Sequence, residues 1–182
     1  MLEIAPGPGF FCLELAKLGD FHITGLDISK TFVEIARKNA AEAGVKIDFQ
    51  EGNASAMPFP DETFDFIFCQ AAFKNFSEPV KAITEMYRVL KPNGVAVIAD
   101  MRRGASSEDI EYEVQNMGLD RINAYLVRWT FDHMLLKSAY RIKDIESMIS
   151  RTPFSNGIFK VNGIGFQVWF SKNKNETVGI EK

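Results

Sequence analysis

From residue 2 to residue 100 the chain alternates short apolar runs rich in Val, Ile and Phe with helical stripes, and nothing else in the sequence constrains its fold as strongly. Parallel strands need a crossover between them, and a helix is the usual one, so the alternation predicts βαβ units and an α/β fold built on a parallel sheet. The candidate strands are Phe21 to Leu26, Val45 to Phe49, Phe64 to Cys69 and Val95 to Ala99. Between them Phe11, Leu15 and Leu18 make one stripe, Phe32, Ile35, Ala36 and Ala40 a second, and Val80, Ile83, Tyr87 and Leu90 a third, each predicting a helix with that face buried. Ser29 and Ser77 stand where N-caps belong, and Pro79 falls in a first turn, where its missing N–H costs nothing.

After Asp100 the alternation stops. Residues 105–139 read as one or two helices carrying Met117, Leu119, Tyr125, Trp129, Phe131, His133, Met134 and Tyr140 at or just past their end, an insertion between sheet elements. Ile142, Ile145 and Ile149 mark a further helix, and Gly157 to Asn162 and Gly165 to Ser171 form a hairpin through Asn162-Gly163. A chain of 182 residues has room for one domain, taken as 1–172, with a polar tail at 173–182. The net charge of −3 offers no footprint for a nucleic-acid backbone, and no apolar run is long enough to span a membrane. No leader pattern opens the chain, and Cys12 and Cys69 lack metal or redox spacing. A cytoplasmic protein with both thiols reduced and buried is expected.

The most informative stretch is Glu3-Ile4-Ala5-Pro6-Gly7-Pro8-Gly9, between the first strand and the first helix. Glycine there lets the backbone approach a ligand, because no Cβ intrudes. Asp27 closes the second strand 20 residues after Gly7, where a carboxylate can accept both ribose hydroxyls of an adenosine-containing cofactor. The dinucleotide fingerprint would need a third glycine at position 12, which is Cys12, and no Gly-Lys-Ser/Thr follows the loop. NAD is disfavoured and ATP hydrolysis is not indicated.

With these residues the chain resembles the class I S-adenosylmethionine (SAM) dependent methyltransferases, in particular the small-molecule branch that includes quinone-biosynthesis enzymes, over residues 2–101. Leu2 to Gly9 is similar to the family's first motif, Gly25-Leu26-Asp27-Ile28-Ser29 to its ribose motif, and Glu51 to Ala54 with Met57 to Asp61 to its adenine loop. Phe64 to Phe68 matches the fourth-strand motif and Tyr87 to Gly94 the turn before strand five. The resemblance implies a Rossmann-like, doubly wound, mostly parallel seven-stranded sheet with helices on both faces, an antiparallel C-terminal hairpin strand and a helical insertion after strand five. It implies SAM held by Glu3, Ala5, Gly7, Gly9, Asp27, Ile28, Asn53, Ala54, Met57 and Cys69, with Asp27 on the ribose and Ile28 and Met57 against the adenine. Asn53 stands where the family usually has Asp, and its amide oxygen can accept only without charge assistance. Ala5 replaces a common glycine, and Lys74-Asn75 stand where many relatives carry two histidines. Only Met1 and Leu2 precede Glu3, where relatives carry helices that close over the site, so the expectation is either a sequence truncated before the first motif or an open site that binds SAM weakly or is completed by a partner chain.

Methyl transfer from a sulfonium is an in-line displacement that needs no protonation of the leaving group, so orientation, which can offset roughly 7 to 11 kcal/mol of barrier, does most of the work. A base is needed only for a protonated acceptor. His133 and Asp100 are the candidates, although a lone histidine is more often structural and a strand-end aspartate more often a cap. Phe73, Tyr125, Trp129 and His133 are the candidate substrate contacts within a cap formed by residues 105–139, where Tyr125, Trp129 and Phe131 read equally well as core. Cys69-Gln70-Ala71-Ala72 lacks the motif that nucleic-acid aminomethyltransferases use, and no metal-ligand spacing occurs, so no metal is expected. The Arg102-Arg103 pair could meet an acidic substrate, but a solvated charge pair is the commoner outcome. The expected activity is methyl transfer from SAM to a small-molecule acceptor, with no nucleic acid and no membrane span. A homodimer remains open. The alternatives are a SAM-fold binding or regulatory protein without turnover and a Rossmann dehydrogenase.

Overall fold

The computed structural model describes residues 1–172, and the expected polar tail lies outside the described residues. One seven-stranded sheet comprises β1 (Leu2–Ile4), β2 (Thr24–Asp27), β3 (Asp48–Glu51), β4 (Phe64–Gln70), β5 (Leu90–Met101), β6 (Ile158–Asn162) and β7 (Gly165–Ser171), in the order β3-β2-β1-β4-β5-β7-β6. The first five strands are parallel, and β7 runs antiparallel to both β5 and β6. The chain winds from β1 out to β3, then returns to β4 on the other side of β1. Such a reversal opens a crevice at the carboxyl ends of the strands, where ligands bind in open α/β sheets.

Strand alternation divides the core. Leu2 and Ile4 join Leu26, Ile67, Cys69 and Ile98 in a cluster closed by α3 (Pro79–Val89) and α7 (Ile142–Ile149). Glu3, between them, points the other way, towards α1 (Phe10–Lys17). On that face Cys12 and Leu13 of α1 pack with Val33, Ala36 and Ala40 of α2 (Lys30–Ala43) around Phe49. The first two helices therefore bury faces other than the ones their largest side chains mark. Phe11 and Leu18 are 39% and 80% exposed, and Phe32 and Ile35 are also exposed. The reason is close approach: a Cβ at Gly9 would lie 2.7 Å from the Phe49 ring and 3.1 Å from the Ala36 Cβ, so this layer takes alanine and glycine.

Strands β2 and β3 begin three residues later than their apolar runs suggest. A parallel strand lasts only as long as its neighbour, and β1 offers its first partner at Leu2, opposite Thr24, which in turn faces Asp48. Ser29 caps α2, accepting from the Phe32 N–H at 3.3 Å. Ser77 does not cap α3: that position is Glu78, and its side chain makes no cap bond. The hairpin turns through Gly163, at φ 51°, and Ile164.

The insertion forms α4 (Ser107–Asn116), α5 (Arg121–Thr130), a π-helical turn at Phe131–Leu135 and the short α6 (Leu136–Ser138). Ile110, Val114, Phe131 and Leu136 enclose Ile164 of the hairpin turn in a separate small core. Arg102 ties the two parts together, donating to the carbonyls of Gly163 and Gly104 and to the Asp109 carboxylate at 2.9 to 3.0 Å. Arg103 donates to the Lys137 carbonyl. Arg102 is thus a structural pin and not half of a solvated pair, because the hairpin turn and the insertion leave carbonyls that its forked donors satisfy, whereas Arg103 stays exposed. Among the described residues no helix is long and apolar enough to cross a membrane. Cys12 and Cys69 are free and wholly buried.

Candidate functional site

The loop after β1 turns on three residues with left-handed backbone, Ala5 at φ 55°, Gly7 at 53° and Gly9 at 80°. Gly9 is required by the Phe49 ring beneath it, whereas a Cβ at Gly7 would meet nothing within 4 Å. Open space beside Gly7 is what a ligand-facing loop needs. The loop is held to the end of β2 by the Ala5 N–H donating to the Leu26 carbonyl at 2.8 Å and the Gly7 N–H donating to Asp27 Oδ2 at 3.0 Å. Asp27 Oδ1 accepts from the Ser29 N–H at 2.8 Å, and the Asp27 carbonyl accepts from Gly52. A nearly buried carboxylate therefore joins the glycine loop, the start of α2 and the loop after β3.

Glu3 lies beneath this loop. Its carboxylate accepts from Cys12 Sγ at 2.7 Å, and burial pushes the Glu3 carboxyl above its ordinary value. Burial also pushes the Cys12 thiol up, so it is a weak donor and not a nucleophile.

A cleft of about 100 Å³ lies beside the loop, lined by Ala5, Leu26, Ile28, Gly52, Asn53, Ala54, Ser55, Asn75, Phe76 and Ser77. Pockets for whole drug-sized ligands start at ~300 Å³, so this one suits a single planar end of a larger molecule. Ile28 is 71% exposed at its rim. Asn53 Oδ1 accepts from the Ser55 N–H at 2.8 Å, so the oxygen expected to meet an adenine amino group already shapes its own turn. Phe76 is an addition that the sequence did not reveal, Asn75 was legible only as a departure from the family's histidines, and Ser77 only as a helix cap. The loop behind the cleft is organised by Arg88 of α3, which donates to the Met57 and Phe59 carbonyls and to Glu85 and Asp61. The guanidinium beside Glu85 holds that carboxyl below its ordinary value, and Glu85 accepts the Met57 N–H at 2.7 Å. Arg88 lies inside the Tyr87 to Gly94 motif, which was the only sequence signal for it.

A second cleft of about 440 Å³ opens at the ends of β4 and β5, lined by Gln70, Ala71, Ala99, Asp100, Met101, Lys160, Asn162, Gly165, Phe166 and Gln167. Gln70, Ala99, Gln167 and Lys160 are lateral neighbours across four strands. Asp100 accepts the Lys74 N–H at 3.0 Å and the Met101 N–H at 2.7 Å, with Lys74 Nζ 3.7 Å away, and its side chain is 1% exposed. Both Asp100 oxygens therefore have donors. The end of β4 and the loop after it serve both clefts, with Gln70 and Ala71 on one and Asn75 to Ser77 on the other.

Of the residues singled out in the sequence, Ala5, Ile28, Asn53 and Ala54 line the first cleft and Asp100 the second, while Gly7, Gly9 and Asp27 form the loop beside them. Met57, Cys69 and Phe73 are buried in the main core, with Phe73 against Phe76 and Tyr140. Tyr125, Trp129 and His133 line neither cleft. His133 is stacked on Trp129 with ring centroids 5.1 Å apart, its Nδ1 3.0 Å from the Trp129 carbonyl oxygen. Among the described residues no group of three or more His, Cys, Asp or Glu side chains could hold a metal ion.

Comparison with known proteins agrees with this arrangement. The family described as a methyltransferase domain matches residues 2–98. A demethylmenaquinone methyltransferase of Deinococcus radiodurans is 35% identical over 107 residues, covering 58% of this chain and 44% of that protein. An uncharacterised methyltransferase of Bacillus subtilis, YcgJ, is 40% identical over 101 residues, covering 55% and 40%. The chain thus spans less than half the length of these relatives. A SAM-dependent methyltransferase of Aquifex aeolicus shares the fold, with a TM-score of 0.69 at 21% identity over 93% of this chain and 79% of that one.

Proposed function

The chain belongs to the class I SAM-dependent methyltransferases, and from that premise we propose that it transfers a methyl group from SAM to a small, partly apolar acceptor in the cytoplasm. The observation that carries this reading is the narrow cleft beside a glycine loop whose open side adjoins the Asp27 carboxylate. Each oxygen of Asp27 takes one backbone N–H and keeps acceptor capacity for a ribose hydroxyl. Ile28, Ala54 and Phe76 offer apolar walls to a heterocycle, and Ser55 and Ser77 offer hydroxyls at its edge. Glu3, buried with a single weak thiol donor, is placed to attract an ammonium group over the loop. When bound, SAM supplies a methyl group already activated by its sulfonium.

The larger cleft is the proposed acceptor site. Its apolar floor of Ala71, Ala99, Met101 and Phe166 and its amide rim of Gln70, Asn162 and Gln167 suit a flat ring bearing oxygen substituents. Lys74 and Asp100 fix the floor and orient the loop after β4, which contributes to both sites. The names of the relatives make quinone-like rings the first acceptors to try. A nucleic-acid partner is not proposed, given the chain's net charge of −3.

Calorimetric titration with SAM, S-adenosylhomocysteine and NAD in parallel tests the cofactor, and release of S-adenosylhomocysteine over an acceptor panel tests turnover. Micromolar binding of the first two without NAD binding is expected. NAD binding without SAM binding would overturn the reading. SAM binding with no turnover on any acceptor would favour a binding protein, the alternative to which the strained Ala5 and the uncharged Asn53 point.

A further inference from the structure

Strands β4 to β7 carry four charged side chains, Asp65, Lys91, Asp100 and Lys160, and the first three are already matched. Asp65 accepts from Lys91 Nζ at 3.0 Å at the starting ends of β4 and β5, away from both clefts. Asp100 accepts two backbone N–H groups and has Lys74 Nζ 3.7 Å away, so its charge is balanced before any ligand arrives. Lys160 of β6 lines the larger cleft and, among the described residues, forms no ion pair. Arg102, at the hairpin turn beyond it, is occupied by Asp109 and two carbonyls. The strands around this cleft therefore keep one unmatched positive charge.

Trp169 organises what stands beside that charge. Its ring centroid lies 5.9 Å from Lys160 Nζ, within reach of the attraction between an ammonium and an aromatic face. Its indole N–H donates to Gln167 Oε1 at 3.3 Å. An indole nitrogen can only donate, so the Gln167 oxygen faces Trp169 and the Gln167 NH2 is left for other partners. Gln167 and Lys160 stand directly opposite each other in the β6–β7 pairing, which sets their Cβ atoms about 5 Å apart. An ammonium and an amide NH2 thus stand side by side on the cleft wall, both as donors. The next residue across the sheet is Ala99, small enough to leave a floor, and beyond it Gln70. A ring lying over Ala99 meets Gln70 at one edge and the Gln167–Lys160 pair at the other. Two adjacent donors, one of them charged, match the two oxygens of a carboxylate. Resting on the assignment of the larger cleft to the acceptor, we propose that the acceptor ring bears a carboxylate, which Lys160 and Gln167 select while Trp169 holds both.

The test is calorimetric titration of the S-adenosylhomocysteine-bound protein with 1,4-dihydroxybenzene and with 2,5-dihydroxybenzoate, two rings that differ only in a carboxylate, which reads binding without any turnover. The carboxylate is expected to bind at least about tenfold more tightly, with a preference that shrinks at high salt. Lys160→Met should abolish the preference and Lys160→Arg should retain it. Trp169→Phe, which keeps a ring beneath the ammonium but loses the N–H that orients Gln167, should reduce it. Lys160 is exposed on an edge strand, and unchanged circular dichroism and S-adenosylhomocysteine affinity would verify that its variants fold. Equal binding of the two rings, or a preference that survives Lys160→Met, would overturn the proposal and leave methyl transfer standing. Binding of neither ring to the S-adenosylhomocysteine-bound protein would overturn it together with the acceptor cleft. A chain that binds no S-adenosylhomocysteine would overturn the cofactor reading, and the proposal with it.

Discussion

Residues 2–101 and residues 105–139 are both rich in large apolar side chains, yet they use them in opposite ways. In the first region the sheet is packed from both sides, and the proposed cofactor site lies at strand ends: the left-handed turns at Ala5, Gly7 and Gly9, and the Asp27 carboxylate that accepts the Gly7 N–H. In the second region only one side has a partner. Helix α5 turns its small residues inward and its large ones outward, so size in that stretch does not report burial within the chain. Apolar pattern therefore specifies burial only where two layers compete for the same strand or helix. A helix lying on the edge of the molecule can keep an apolar face that its own core never asks for.

Five substitutions can break or sharpen this contrast. Phe131 and Trp129 are two residues apart in the insertion, but Phe131 is 4% exposed in its small core. Phe131→Ala should cost about 4 kcal/mol of stability, read as a shifted denaturant midpoint. Gly9→Ala should follow at about 3 kcal/mol, because the added Cβ meets the Phe49 ring and φ is positive. A cost under ~1 kcal/mol there would mean that the loop relaxes and that its glycine serves the ligand alone. Asp27→Ala should weaken SAM binding by about 2 kcal/mol, roughly thirtyfold by calorimetry; unchanged affinity would remove Asp27 from the site. Ala5→Gly should raise stability by about 1 kcal/mol through relief of the left-handed backbone at φ 55°. Trp129→Ala should change stability by less than about 0.5 kcal/mol. A larger loss would place Trp129 in the fold and erase the difference between the two regions.

Much of the fold was legible in the sequence because its signals are local. Alternation predicted the parallel sheet, Ser29 marked a helix start, and the 20-residue interval from Gly7 to Asp27 placed a carboxylate at the loop it now holds. Strand ends were less legible: Phe21 and Val45 belong to apolar runs, but β2 and β3 wait for a partner that starts at Leu2. The first cleft was partly legible, through Ala5, Ile28, Asn53 and Ala54. Asn75, Phe76 and Ser77 reach it from the loop after β4, and no spacing along the chain announces a contact across the sheet. Cys69 sits near the end of β4 but faces the core, a distinction of one residue in register, and Met57 and Phe73, in the connections on either side of β4, are buried in the same core.

By itself the sequence determined that strands and helices alternate, that a glycine-rich turn follows the first strand with an aspartate 20 residues after Gly7, and that an aromatic helical stretch follows the fifth strand. These depend on side-chain period, on glycine's backbone freedom and on spacing, which act over a few residues. Only the tertiary structure decided that Cys12 and Leu13 of α1 and Val33, Ala36 and Ala40 of α2, and not the phenylalanines of those helices, face the sheet, that Arg88 shapes the loop behind the cleft, that Arg102 fastens the insertion to the hairpin, and that Tyr125 and Trp129 line neither cleft. Each of these depends on which surface arrives opposite a residue from elsewhere in the chain. Close packing then selects by the space left between layers, a quantity that no single stretch of sequence contains.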